Sequence, residues 1–184
     1  MKRFSILTLA ACAAVALAGG VSSGLSKGED VTPFHPSHFA GALANTTNCF
    51  PCTFQNRPQV QVWVNGDSAE NIAKIAKTLS VAMKTNQKAE FKALMVFIGE
   101  GAKAEKAKAD GLALIKKEGL TGISMATISP SNEAVNNYKI NVSPQVKNTV
   151  FVYRNWKVQE KMVNLTADAS GLKALDGAIA NVVK

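Results

Sequence analysis

The chain has 184 residues, 47% of them hydrophobic and 18% charged, which excludes a disordered chain and leaves room for one domain with a sizeable core. Its formal net charge of +8 comes largely from scattered lysines at helical spacing, such as Lys74, Lys77 and Lys84, or Lys103, Lys106, Lys116 and Lys117. With no aromatic residues interleaved, these read as solvated helix faces and argue against a nucleic-acid surface.

The first eighteen residues differ from the rest. Lys2-Arg3 form a basic start, Phe4–Leu17 an apolar run, and Ala16-Leu17-Ala18 a small-x-small cleavage site. The run is shorter than the roughly 20 residues of a membrane span. Residues 1–18 are therefore expected to be a cleavable signal peptide, giving an exported chain, periplasmic or extracellular, with no integral span once mature. Cleavage leaves 19 basic against 13 acidic side chains, or +6. Leu9-Ala10-Ala11-Cys12 resembles a bacterial lipoprotein box, so lipidation of Cys12 is the minority alternative.

Residues 19–27 are rich in Gly and Ser and read as a flexible lead-in. Residues 28–57 carry turn formers (Pro33, Pro36, Gly41, Asn45, Pro51) and read as a structured loop or loose hairpin. From Pro58 the pattern sharpens. Val60–Val64 alternates and predicts a strand. Asp67 is the expected N-cap, with Glu70 as capping-box partner, of a helix whose face runs Ile72, Ala76, Leu79, Met83. Residues 93–98 are apolar throughout, as in a central strand covered on both sides. A second helix is predicted over 103–118, closed by Gly119, and a third strand over 123–128. Ser129-Pro130 is expected to open a short helix reaching Tyr138. Residues 149–153 and 157–165 flank a tight turn at Arg154-Asn155-Trp156 and predict a hairpin. A last helix over 169–183 repeats Leu172, Leu175, Ile179 and Val182. This order predicts an α/β domain over 28–184 with a mixed sheet between helical layers.

Gly28-Glu29-Asp30-Val31-Thr32-Pro33-Phe34 resembles the Gly-x-x-Ala-Pro-x-Phe opening of peroxiredoxin-like redoxins, which have the thioredoxin-like fold. Tyr138-Lys139-Ile140, Thr149-Val150-Phe151-Val152 and Arg154-Asn155-Trp156-Lys157-Val158 look like that family's "YGV … TFVI … RNGKV" segment. The resemblance covers about 28–184 and implies a three-layer α/β/α fold.

It also exposes departures. The family places its reactive cysteine just after the first core strand, at the start of the next helix, where the helix end activates the thiol. Here that place reads Asn65-Gly66-Asp67-Ser68. The peroxidatic Pro-x-x-x-Thr-x-x-Cys pattern is missing, which argues against peroxide reduction by the usual route. The cis-proline that thioredoxins carry before the strand at Thr149 is replaced by Asn148. Trp156 stands where the hairpin glycine is expected, and reads as a packing residue or a partner contact.

The remaining thiols are Cys49 and Cys52, in Cys49-Phe50-Pro51-Cys52, upstream of the first core strand. Seven residues separate Cys52 from Val60, too few for the helix that usually follows a redox Cys-x-x-Cys. Arg57 is the only cation close in sequence, so the local electrostatic case for a reactive thiolate is thin. A second chemistry is open. His35-Pro36-Ser37-His38 stands ten residues before Cys49, and His35, His38, Cys49 and Cys52 make a two-plus-two set with spacings resembling a structural zinc site. Three readings stand: thiol–disulfide exchange with a protein partner, no cofactor, Cys49 attacking and Cys52 resolving; zinc binding through the four residues; or a structural disulfide.

Overall fold

Two stretches build the centre of the sheet, the alternating residues 59–64 and the unbroken apolar run 92–98. The computed structural model describes residues 21–184. The expected signal segment and Cys12 lie outside them. In chain order the elements are β1 (Ser37–Ala40), α1 (Phe50–Phe54), β2 (Gln59–Val64), α2 (Ala69–Thr85), β3 (Lys92–Ile98), α3 (Ala102–Glu118), β4 (Ser124–Ile128), α4 (Glu133–Asn137), β5 (Asn148–Arg154), β6 (Lys157–Val163) and α5 (Ala169–Val182). The six strands form one sheet in the order β1-β4-β3-β2-β5-β6. β2, β3 and β4 run parallel, whereas β1, β5 and β6 pair antiparallel.

The chain steps from β2 to β3 to β4 in one direction across the sheet. Right-handed crossovers then put α2 and α3 on the same face. α5 joins them, and the core there is Val60, Val62 and Val64 of β2, Ala93, Met95 and Phe97 of β3, and Ile75, Leu79 and Leu175 of the helices. The opposite face gathers Trp63, Leu94, Val96 and Ile98 under α4 and the segment that precedes β2. β3 is covered on both sides, as its composition predicts. The exposed sides of the helices carry i,i+4 pairs such as Lys74–Glu70 and Lys106–Asp110, so these lysines do line solvated faces.

Alternation in β2 does not mark an exposed face. Gln59 and Gln61 are fully buried, and their amides are used internally. Gln61 Nε2 donates to Tyr153 Oη at 2.8 Å, Trp63 Nε1 donates to Gln61 Oε1 at 3.1 Å, and Tyr153 Oη donates to Gln59 Oε1 at 2.8 Å. Tyr138 Oη donates to the Thr32 carbonyl. Burial pushes the hydroxyls of Tyr138 and Tyr153 well above the usual phenol range, so both stay protonated donors. Phe34, the end of the family-like opening, packs its ring 5.2 Å from both Trp63 and Tyr138.

Four expectations change. The segment read as a flexible lead-in is docked from residue 23: Ser23 and Leu25 are buried, and Gly24 N donates to the Lys139 carbonyl. Gly24 has a φ of +83°, and a Cβ there would lie 2.6 Å from Phe151. Gly24→Ala is therefore expected to lower stability by about 1–3 kcal/mol, measurable by urea unfolding. The loop over 28–57 contains β1 and α1, both too short for periodicity to show. The helix at α2 is capped by Ser68, whose side chain accepts from Asn71 N. The short helix expected from Pro130 begins only at Glu133, capped by Asn132, because residues 129–131 form a turn held by the Ser129 hydroxyl.

The hairpin turn is tight. Asn155 and Trp156 have φ of 52° and 67°, as a two-residue turn between twisted strands requires. Trp156 accepts that left-handed conformation and packs, half-buried, against the aromatic cluster around Trp63.

Candidate functional site

Thr53 N donates to the Cys49 carbonyl at 3.0 Å and Gln55 N to the Pro51 carbonyl at 2.7 Å, which closes α1 over residues 50–54. Pro51 fits the first turn, where its missing N–H is not needed. Cys49 is the N-cap, and its Sγ accepts from Cys52 N at 3.1 Å. The seven residues between Cys52 and Val60 hold no long helix; the single short turn of α1 begins inside the pair and ends two residues after Cys52. Cys49 and Cys52 form a disulfide, with Cα atoms 5.2 Å apart. Cys49 is buried, whereas Cys52 is partly exposed.

α1 rests on the aromatic face of the sheet through Phe50, whose ring lies 4.7 Å from that of Phe54 and is stacked with that of His38. Arg57, the cation nearest in sequence, is taken up by Glu90 and the Phe54 carbonyl. The main-chain N–H of Cys52 is the donor that the structure gives to the Cys49 sulfur.

His35 and His38 both serve the loop that delivers Cys49. His35 Nδ1 meets the Thr47 carbonyl at 3.0 Å, and His38 Nε2 the Asn48 carbonyl at 2.9 Å. The structure brings the histidines to the chain just before Cys49, not to its sulfur. Among the described residues no three His, Cys, Asp or Glu side chains converge as metal ligands. One ring nitrogen of each histidine meets a main-chain carbonyl, and the two sulfurs are joined to each other in the disulfide.

His38 donates from Nε2, which leaves Nδ1 as a buried acceptor without a partner. A second proton would place an unpaired N–H in that setting, and burial holds the His38 pKa below its ordinary value. In the unfolded chain the ring titrates near 6.5. The stabilising difference is therefore complete above about pH 6.5 and is lost as pH falls towards the lower folded value. Urea unfolding midpoints are expected to drop over that window in the wild type and to drop less in His38→Phe.

The place where the redoxin resemblance locates its chemistry holds a different arrangement. Asp67, just after β2, accepts from Ser68 N, from Asn71 Nδ2 at 2.7 Å and from Asn148 Nδ2 at 2.6 Å. Asn148 opens β5, where a thioredoxin has its cis-proline, and exchanges hydrogen bonds with the main chain of Leu165. These polar groups saturate one another and tie the end of β2, the start of α2, the start of β5 and the segment before α5 together. Beside them is a cleft of about 420 Å³ between α2 and α3, lined by residues such as Val64, Ile72, Phe97 and Leu114. Neither cysteine lines it. The disulfide sits with the aromatic cluster on the opposite face of the sheet, so the Cys49 loop does not fold back to Asp67.

The fold, a six-stranded mixed sheet between helices, is thioredoxin-like. No protein-family model matches the sequence, and no curated protein matches it. Solved structures do. A protein assigned as the thiol:disulfide interchange protein DsbE of Chlorobium tepidum superposes with a TM-score of 0.61 at 13% identity, over 87% of this chain and 99% of its own. A secreted Mycobacterium tuberculosis disulfide oxidoreductase homologous to E. coli DsbE gives 0.53 at 16% identity, over 82% and 96%. Peroxiredoxin Q of Xanthomonas campestris gives 0.56 at 14% identity, over 83% and 92%. At such identities the likeness speaks for the fold. No helix among the described residues is long and apolar enough to cross a membrane.

Proposed function

We propose that the protein is an exported thiol–disulfide exchange protein whose working pair is Cys49 and Cys52. The observation that carries this reading is a disulfide closed across a single helical turn with one of its two cysteines partly exposed. A loop this small contributes only about 2 kcal/mol by constraining the unfolded chain, a weak return for a purely structural bond. The redoxin fold and the disulfide-exchanging proteins among its structural neighbours favour the same chemistry. The partner class is a protein thiol or disulfide. Export accords with the amino-terminal pattern and with an environment in which the bond persists.

The chemistry needs no cofactor. A partner thiolate attacks one sulfur and displaces the other as a thiolate. A second thiolate of the partner then attacks the mixed disulfide, leaving the partner oxidised and Cys49 and Cys52 reduced. The reverse sequence oxidises a dithiol.

Equilibration in glutathione buffers, with the thiol state read by mass spectrometry, tests the proposal. A reduction potential above about −300 mV supports exchange, and a lower one makes the bond structural. Zinc is checked in the same preparation. Because no three His, Cys, Asp or Glu side chains converge among the described residues, added zinc is expected to leave the alkylation rate of the reduced thiols unchanged. Protection by zinc would favour the metal site instead.

A further inference from the structure

We propose that Cys52, not Cys49, is the sulfur a partner attacks and the residue that carries the mixed disulfide. This rests on the exchange reading above and assigns the order of its steps. Three observations converge on it. Cys49 is only 5% exposed, whereas Cys52 is partly exposed and is followed by the exposed Thr53. Access to a sulfur limits the rate of exchange, so the buried one is the poorer target.

The second observation concerns the loop behind Cys49. His38 N donates to the Thr46 carbonyl and Asn45 N to the His38 carbonyl, both at 2.9 Å, while the His38 ring holds the Asn48 carbonyl. Cys49 is thus delivered by a strapped segment and flanked by Phe50, which is 1% exposed. Opening a path to its sulfur would break these bonds. Cys52 needs no such opening.

The third concerns the leaving group. Cys49 Sγ already accepts the Cys52 main-chain N–H. When a thiolate RS⁻ attacks Cys52, the R–S–S–Cys52 bond forms, the Cys49–Cys52 bond breaks, and the electron pair leaves on Cys49 Sγ. That thiolate is born with a hydrogen bond in place, and a charged acceptor strengthens the bond. No proton or electron is gained or lost in this step. Attack on Cys49 would instead expel a thiolate at Cys52, for which no donor is present among the described residues. The order is the reverse of the one expected from sequence, where the amino-terminal cysteine attacks.

The test starts from the oxidised wild-type protein, exposed to excess reduced glutathione, quenched in acid and peptide-mapped. The glutathione adduct is expected on Cys52, with Cys49 as free thiol. An adduct predominantly on Cys49 overturns the order while leaving the exchange reading intact. An unopened disulfide overturns both. Single-thiol variants give an independent measure that avoids internal resolution. Cys49→Ser keeps a good N-cap residue and therefore the helix. Its Cys52 is expected to react with oxidised glutathione at least tenfold faster than Cys49 does in Cys52→Ser. Equal rates, or the opposite ranking, would overturn the assignment.

Discussion

Serine at position 49 or 52 is expected to reduce catalytic turnover of disulfides to the rate of the buffer thiol alone, at a stability cost of only about 2 kcal/mol. Both consequences follow from where the bond lies. It closes a loop of four residues, so its removal costs only about 2 kcal/mol of unfolded-state constraint. The core under α1 depends on Phe50 and on the His38 ring, which neither substitution touches. Turnover, by contrast, requires both sulfurs: one to carry the mixed disulfide and the other to release it. The measurement pairs an insulin- or glutathione-linked turnover assay with urea unfolding. Variants that lose most of their stability while an exchange rate survives would assign the bond to structure.

The second large effect concerns stability. Gln61→Ala is expected to cost about 3–4 kcal/mol, from the cavity in a fully packed site and from the Trp63 N–H left without its acceptor. For a domain of this size that lowers the melting temperature by roughly 10 °C. Tyr153→Phe removes a hydroxyl that bridges Gln59 and Gln61 but keeps the ring, and about 1–2 kcal/mol is expected. Thermal unfolding of the two variants compares them directly. The glutamines are placed where an apolar pair would pack, and their bonds run between β2, β5 and the end of α1, since Gln59 Nε2 also donates to the Gln55 carbonyl. We expect Gln61→Ala to loosen α1 as well, read as faster hydrogen exchange at Thr53 and Gln55.

The Asp67–Asn148 network explains how a redoxin-like chain holds together without cysteines at the usual place. One carboxylate and two amides join the start of α2 to the start of β5, where a redox site would require an accessible sulfur and a proline. The apolar cleft next to it is therefore bordered by groups committed to structure.

Much of this was legible in the amino-acid sequence. Periodicity over 60–64, 93–98, 103–118 and 169–183 located the central strands and long helices to within one or two residues, because repeated burial leaves a pattern. The order of those elements, with the motifs at 28–34 and 149–158, was enough for the thioredoxin-like fold. Cys49 and Cys52 were visible as a pair. Short elements were not legible, since β1 and α1 have four and five residues and no room for a period. Nor was the burial of Gln59 and Gln61, because a polar residue in an alternating strand reads as solvent-facing until its partners from residues 138 and 153 are in place.

What only the tertiary structure decided is the surroundings of the Cys49-Phe50-Pro51-Cys52 stretch. Sequence spacing set two histidines ten residues away and suggested ligands. Packing turned one nitrogen of each ring towards a main-chain carbonyl of the loop before Cys49, the exposed His35 to Thr47 and the buried His38 to Asn48. Spacing also put the thiols before the first core strand without saying on which face they land. The crossovers settle that: α2 and α3 take one face of the sheet, and the amino-terminal segment packs on the other, against Trp63 and Tyr138. Burial of Cys49 and exposure at Cys52 follow from that docking, and they set the chemistry proposed for the pair.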